Sequence, residues 1–83
     1  MKHMVVLVIE DDEAIRRGIV DALRFEGYET LEAGDGNRGL DLAMTATYDL
    51  LLLDLVLPGG DGLDILKELH RARPTEPVII LTA

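Results

Sequence analysis

Five oxygen-bearing residues stand where short apolar runs end. "MVVLVI" (Met4 to Ile9) gives way to Glu10, Asp11 and Asp12; "DLLLLD" closes on Asp54; "PVIILTA" carries Thr82 near its end. Continuously apolar runs of this length read as strands buried on both faces, so these side chains fall at strand ends. Carboxylates gathered at one place repel each other, which either raises some of their pKa values or demands a cation. An all-oxygen donor set suits Mg²⁺, which takes one or two carboxylates and keeps several waters. A carboxylate can also serve as the nucleophile in phosphoryl transfer, becoming an aspartyl phosphate. That chemistry asks for positioning and charge neutralisation more than for covalent help. Asp54 is then the candidate acceptor, and the Thr82 hydroxyl a donor to a phosphoryl oxygen.

Plainer roles compete for each residue. Asp12 and Glu13 open a helix-period segment and are assigned to capping it, as acids in that position commonly are. Thr82 alone would be an ordinary strand-end threonine. Asp11 and Asp54 carry the argument as a pair, because two buried strands from distant parts of the chain both end in a carboxylate.

The remaining segments supply the elements that would position this rim. "EDDEAIRRGIVDALRFEG" repeats Ile15, Ile19, Ala22 and Leu23 on one helical stripe, with Gly27 where a C-terminal cap belongs. "YETLEA" (Tyr28 to Ala33) alternates and reads as an edge strand. "GDGNRGLDLAMTA" reads as a helix capped by Asp35, with Leu40, Ala43 and Met44 inward and Gly39 an unfavourable interior residue. Asp49 to Asp54 is a strand. "DGLDILKELHRA" is a helix capped by Asp61, with Asp64 three residues on and Ile65, Leu66 and Leu69 inward; Pro74 and Pro77 end it. The order is β-α-β-α-β-α-β. Right-handed crossovers make this an α/β fold, an open parallel sheet with helices on both faces. Ligands of such sheets bind beyond the carboxyl ends of the strands, where the strand order reverses.

Composition narrows the function classes. The chain has 83 residues, 48% of them hydrophobic and 29% charged, which bounds it to one small globular domain. It has no cysteine, excluding disulfides and thiolate metal sites. Sixteen acids against eight bases give a net charge of −8, which argues against direct nucleic-acid contact and for cationic partners. No run approaches the roughly 18 apolar residues of a membrane helix, so no membrane association and a cytoplasmic location are expected. His3 and His70 are isolated, and Arg16 and Arg17 read as a solvated helix face. A nucleotide-binding α/β enzyme is set aside, because the acidic "EDDEA" after the first strand would repel a pyrophosphate.

Together "VLVIEDDEAIRRGI", "DLLLLDLVLPGGDGLDIL" and "PVIILTA" resemble the receiver domain of two-component response regulators, in order and over the whole chain. The resemblance implies a module phosphorylated by a histidine kinase or phosphotransfer protein, with Mg²⁺ as cofactor, and not an enzyme in its own right. It assigns Asp54 as phosphoacceptor and Asp11 as a direct metal ligand. Glu10 becomes that ligand's helper, and Val56 a ligand through its backbone carbonyl. Thr82 matches the switch hydroxyl, Ala83 the small residue beside it, and Pro58 and Gly60 the turn after the acceptor. "LPGG" in that turn is familiar from receivers joined to DNA-binding output domains, so transcription regulation is implied.

The family fold is flavodoxin-like with strand order 2-1-3-4-5. Residues 1–83 account for 2-1-3-4 and read as a single receiver domain truncated after the fourth strand. They lack the fifth strand, its flanking helices and the lysine that ends it; Lys2 and Lys67 stand elsewhere. An uncovered apolar fourth strand predicts self-association, by strand pairing or by mutual covering of bare sheet faces. A receiver-shaped interaction module without phosphorylation, or an inactive fragment, is the alternative function.

Overall fold

A computed structural model describes residues 3–58 and 61–81. The expectations for Gly60, Thr82 and Ala83 fall outside those residues. Seven elements follow in order: β1 (Val5–Ile9), α1 (Glu13–Phe25), β2 (Glu29–Ala33), α2 (Gly36–Thr45), β3 (Leu50–Asp54), α3 (Gly62–Ala72) and β4 (Val78–Leu81). All strand pairs are parallel, and the sheet runs β2-β1-β3-β4 as expected.

Helix ends follow their local chemistry. The side chains of Asp12, Asp35 and Asp61 each accept a backbone N–H in the first turn of the helix they precede. At the end of α1, Gly27 adopts φ 93°. Its N–H donates to the Arg24 carbonyl and that of Tyr28 to the Leu23 carbonyl, both at 3.0 Å. This left-handed turn satisfies two orphan carbonyls and sends the chain back into β2.

The two faces of the sheet are covered unequally. One side holds Leu7, Ile9, Leu51 and Leu53 against Ala43 of α2 and Ile65 and Leu69 of α3. The other holds Val6 and Val8 against Val20 of α1, with Ile19 and Leu23 partly buried beside them. The stripe read for α1 is therefore rotated: Val20 is its buried anchor, while Ile15 and Ala22 face solvent. Among the described residues α1 is alone on its face, so the helix beds on β1 and β2 and the far edge of its stripe stays uncovered. β4 is the uncovered edge strand expected of the fourth apolar run: it pairs only with β3, and Ile79 is 51% exposed.

Gly39, unfavourable by propensity, is explained by packing. A Cβ there would lie 2.8 Å from Ile9 Cγ2, so glycine lets α2 approach the end of β1 closely. At the opposite end of the sheet Asp49 precedes β3 instead of starting it. Its Oδ2 accepts from the Val5 N–H at 2.8 Å and its own N–H donates to the Val5 carbonyl at 2.7 Å. Arg73 closes the same end. Its Nη1 donates to the carbonyls of Ala43 and Ala46, and its guanidinium lies 5.0 Å from the Tyr48 ring centroid.

Candidate functional site

The strand order reverses between β1 and β3, so the chain leaves these neighbouring strands in opposite directions and opens a crevice at their carboxyl ends. The register pairs Ile9 with Leu53, and one step further along brings Glu10 beside Asp54. Carboxylate oxygens of Glu10, Asp11 and Asp54 lie within 4.8 Å of one another. Glu10 is buried, Asp54 half-buried and Asp11 exposed, so the group spans from the sheet interior to solvent. The pairing of two strand-end acids read from the sequence is thus a spatial fact.

Backbone contacts fix two of the three acids. The Glu10 N–H donates to the Ala33 carbonyl at 3.1 Å, extending the β1–β2 ladder one residue past the strands. Asp54 Oδ1 accepts from the Val56 N–H at 3.0 Å, which sets the plane of its carboxylate. Val56 itself is 74% exposed, so its apolar side chain takes no part in the core. The Pro58 carbonyl accepts from the Gly36 N–H at 3.0 Å, tying the loop after Asp54 to the start of α2. Asp12 belongs to the helix, not the cluster: its Oδ1 accepts from the Ile15 N–H at 3.0 Å.

The electrostatic cost of the arrangement falls on Glu10. Burial first, then a hydrogen bond to Asp54 and the negative charge of Asp54, push its carboxyl from 4.5 to about 7; the Asp12 backbone N–H opposes this, and the Asp11 charge adds the smallest part. An acid raised by folding keeps its proton in the native state after the unfolded chain has released it. Without divalent cations, stability therefore falls as pH rises from 4.5 to about 7 and levels off above, and this contribution is fully present only below that window. Urea midpoints at about pH 5 and about pH 8 should show the drop, and Glu10→Gln should flatten it. An unchanged pH profile in Glu10→Gln would remove Glu10 as the cause.

Two residues near the site escaped the sequence reading. Arg16, read as solvated, turns inward: its side chain is 19% exposed and pairs with Glu32 at 3.1 Å. Arg17 is solvated as expected. Gly62, the first residue of α3, lies against the end of β3, where a Cβ would overlap the Asp54 carbonyl oxygen and sit 2.8 Å from the Leu55 carbonyl carbon. A glycine at a helix start, where other residues are better helix formers, was the available signal for close approach.

A family model described as the response regulator receiver domain matches residues 6–83. The transcriptional regulatory protein DltR of Streptococcus agalactiae is 42% identical over 80 residues, covering 96% of this chain and 36% of that protein. The chain therefore spans about a third of the length of such curated relatives. Among solved structures, response regulator TrrA of Thermotoga maritima in complex with Mg²⁺-BeF superposes with TM-score 0.91 at 34% identity, covering 96% of this chain and 70% of that one. TrrA bound to histidine kinase ThkA gives TM-score 0.88 at 34% identity, covering 96% and 69%. By sequence and by fold, this chain belongs to the response regulator receiver domain family.

Proposed function

We propose that this receiver domain accepts a phosphoryl group on Asp54 from the phosphohistidine of a partner kinase or phosphotransfer protein, with Mg²⁺ bound at the acidic cluster. The observation that carries this is the convergence of three carboxylates from two adjacent strands within 4.8 Å. Their donor set is all oxygen and one member is buried and strained by its neighbours, which fits a hard divalent cation. Asp11, Asp54 and Glu10 would hold the ion, with the Val56 carbonyl as a further donor. When bound, Mg²⁺ neutralises charge on the acceptor and on the phosphoryl oxygens.

The chain's own residues do the positioning. An Asp54 carboxylate oxygen attacks phosphorus; the O–P bond forms as the N–P bond of phosphohistidine breaks, and the electron pair returns to the imidazole nitrogen. The Val56 N–H holds Oδ1 and so fixes the direction from which the carboxylate is presented. Glu10, while protonated, donates to Asp54 and dampens its nucleophilicity; ionised, it joins the cation-binding set. Thr82 is proposed as the hydroxyl that meets the phosphoryl group once it has been transferred.

Relatives named as transcriptional regulators support a transcriptional output for the whole protein, carried by segments other than this acidic domain. A partner kinase is supported by the ThkA–TrrA complex. No described helix is long and apolar enough to cross a membrane. Membership of the receiver domain family supports a cytoplasmic module that assists its own phosphorylation rather than a turnover enzyme. The β4 edge is the surface that another strand, including one from a second copy, would cover.

The test is amide-shift titration of the protein with Mg²⁺ and then beryllofluoride. Shifts centred on Asp11, Asp54 and Val56 are expected. Asp11→Ala should weaken Mg²⁺ binding by about tenfold or more, since it removes a charged ligand. A protein silent to both additions would instead be a receiver-shaped interaction module.

A further inference from the structure

The two acids contributed by the end of β1 are neighbours in sequence, so the peptide between them sets how their carboxylates are disposed. That peptide is gripped from α1. Arg16 Nη1 donates to the Glu10 carbonyl at 2.9 Å while its Nε donates to Glu32 Oε1 at 3.1 Å. The guanidinium occupies space that Gly34 leaves open: a Cβ at Gly34 would lie 2.9 Å from Arg16 Nη1. On its other side the Glu10 residue is fixed by its N–H bond to the Ala33 carbonyl. One planar group therefore joins the first turn of α1, the end of β1 and the end of β2 directly behind the acidic cluster.

We propose that Arg16 is a positioning residue for cation binding, orienting the Glu10–Asp11 peptide so that both carboxylates face Asp54. It touches no ligand oxygen, and it acts through the carbonyl it holds. Glu32 completes the device by neutralising the guanidinium, so the positive charge does not compete with the cation. A fork with two donor directions is needed to hold a carbonyl and a carboxylate together, which lysine's single ammonium on a flexible stem does poorly. The inference rests on the Mg²⁺ reading of the site given above.

Electrostatics and positioning predict opposite signs, which makes the test decisive. Arg16→Met deletes a positive charge beside the cluster and leaves Glu32 unpaired. If Arg16 mattered only through its charge, Mg²⁺ would bind more tightly to the variant. If it positions the peptide, Mg²⁺ affinity should fall about tenfold, the scale of lost outer-shell partners at metal sites. The measurement is Mg²⁺ titration of the intact protein followed by amide shifts, which report only folded molecules. Arg17→Met, on the solvated side of the same helix, serves as control and should change affinity less than about twofold.

In the metal-free variant the Asp11 amide and Glu10 carbonyl resonances should also move while those of β4 stay in place. Unchanged or tighter Mg²⁺ binding by Arg16→Met overturns the proposal. Should that variant fail to fold, Arg16→Lys is read in the same way: weaker binding with the charge retained supports it, and wild-type affinity overturns it. A wild-type protein that does not bind Mg²⁺ overturns the reading of the site, and this inference with it.

Discussion

Asp54→Asn should leave the protein folded and unable to take a phosphoryl group from acetyl phosphate or from a phosphorylated kinase. The expected loss is complete, because an amide has no anionic oxygen to attack phosphorus and no neighbouring carboxylate is held to replace it. Glu10 is buried and Asp11 is at the mouth, whereas the Val56 N–H aims Asp54 alone. Folding should survive for two reasons. Asp54 is only half-buried, and asparagine keeps an oxygen to accept the Val56 N–H. Stability near neutral pH should in fact rise, since the charge and hydrogen bond of Asp54 contribute to the raised Glu10 carboxyl. Intact-protein mass spectrometry after incubation with acetyl phosphate and Mg²⁺ reads out acceptance, and urea unfolding reads out stability. Phosphorylated Asp54→Asn would move the acceptor elsewhere. A destabilised variant would mean that Asp54 serves the fold rather than straining it.

The second large effect is expected at Gly62. Its missing Cβ is where the Asp54 carbonyl oxygen and the Leu55 backbone lie, and the Gly62 N–H donates to the Leu55 carbonyl at 3.0 Å. Backbone cannot rotate out of the way as a side chain can. Gly62→Ala should therefore cost about 2–3 kcal/mol, the upper part of the range for overpacking, despite alanine's better helix propensity. That is a large share of the roughly 5–10 kcal/mol expected of so small a domain. The surviving folded molecules should accept phosphate poorly, because the strain falls on the peptide that carries the Val56 N–H to Asp54. Gly18→Ala is the matched control: nothing lies within 4 Å of its would-be Cβ. There the same substitution, in the exposed interior of α1, should stabilise by about 0.5–1 kcal/mol. Chemical denaturation of the two variants side by side gives the comparison, and equal effects of the same sign would refute the close-approach explanation.

Much of the fold was legible because its signals are local. Valine- and leucine-rich runs bounded by aspartates, and the caps Asp12, Asp35 and Asp61, set elements whose boundaries need no knowledge of their neighbours. The exposure of Ile15 and Ala22 was not legible. Periodicity places an apolar stripe only approximately around the helix, and how far it is rotated and how much of it is buried depend on what else lies on the same sheet face. Gly39 shows the same limit from the other side: an apparent flaw by propensity is a requirement of the Ile9 contact.

For the site, the sequence by itself determined which residues are chemically fit: acids at the ends of two apolar strands, and an Asp followed by a turn. Right-handed parallel crossovers then leave few ways to arrange those strands, so even the meeting of Asp11 with Asp54 could be anticipated. Only the tertiary structure decided which acid bears the strain. Glu10 lies innermost, and burial raises its carboxyl, a quantity that no spacing encodes. Tertiary structure also decided which cation turns inward. Arg16 and Arg17 are adjacent and identical in type, and they differ because one helical step aims Arg16 at the Glu10 carbonyl and Glu32 while Arg17 meets solvent. Local chemistry writes the inventory of the site, whereas depth and direction arise from how the helices pack on the sheet.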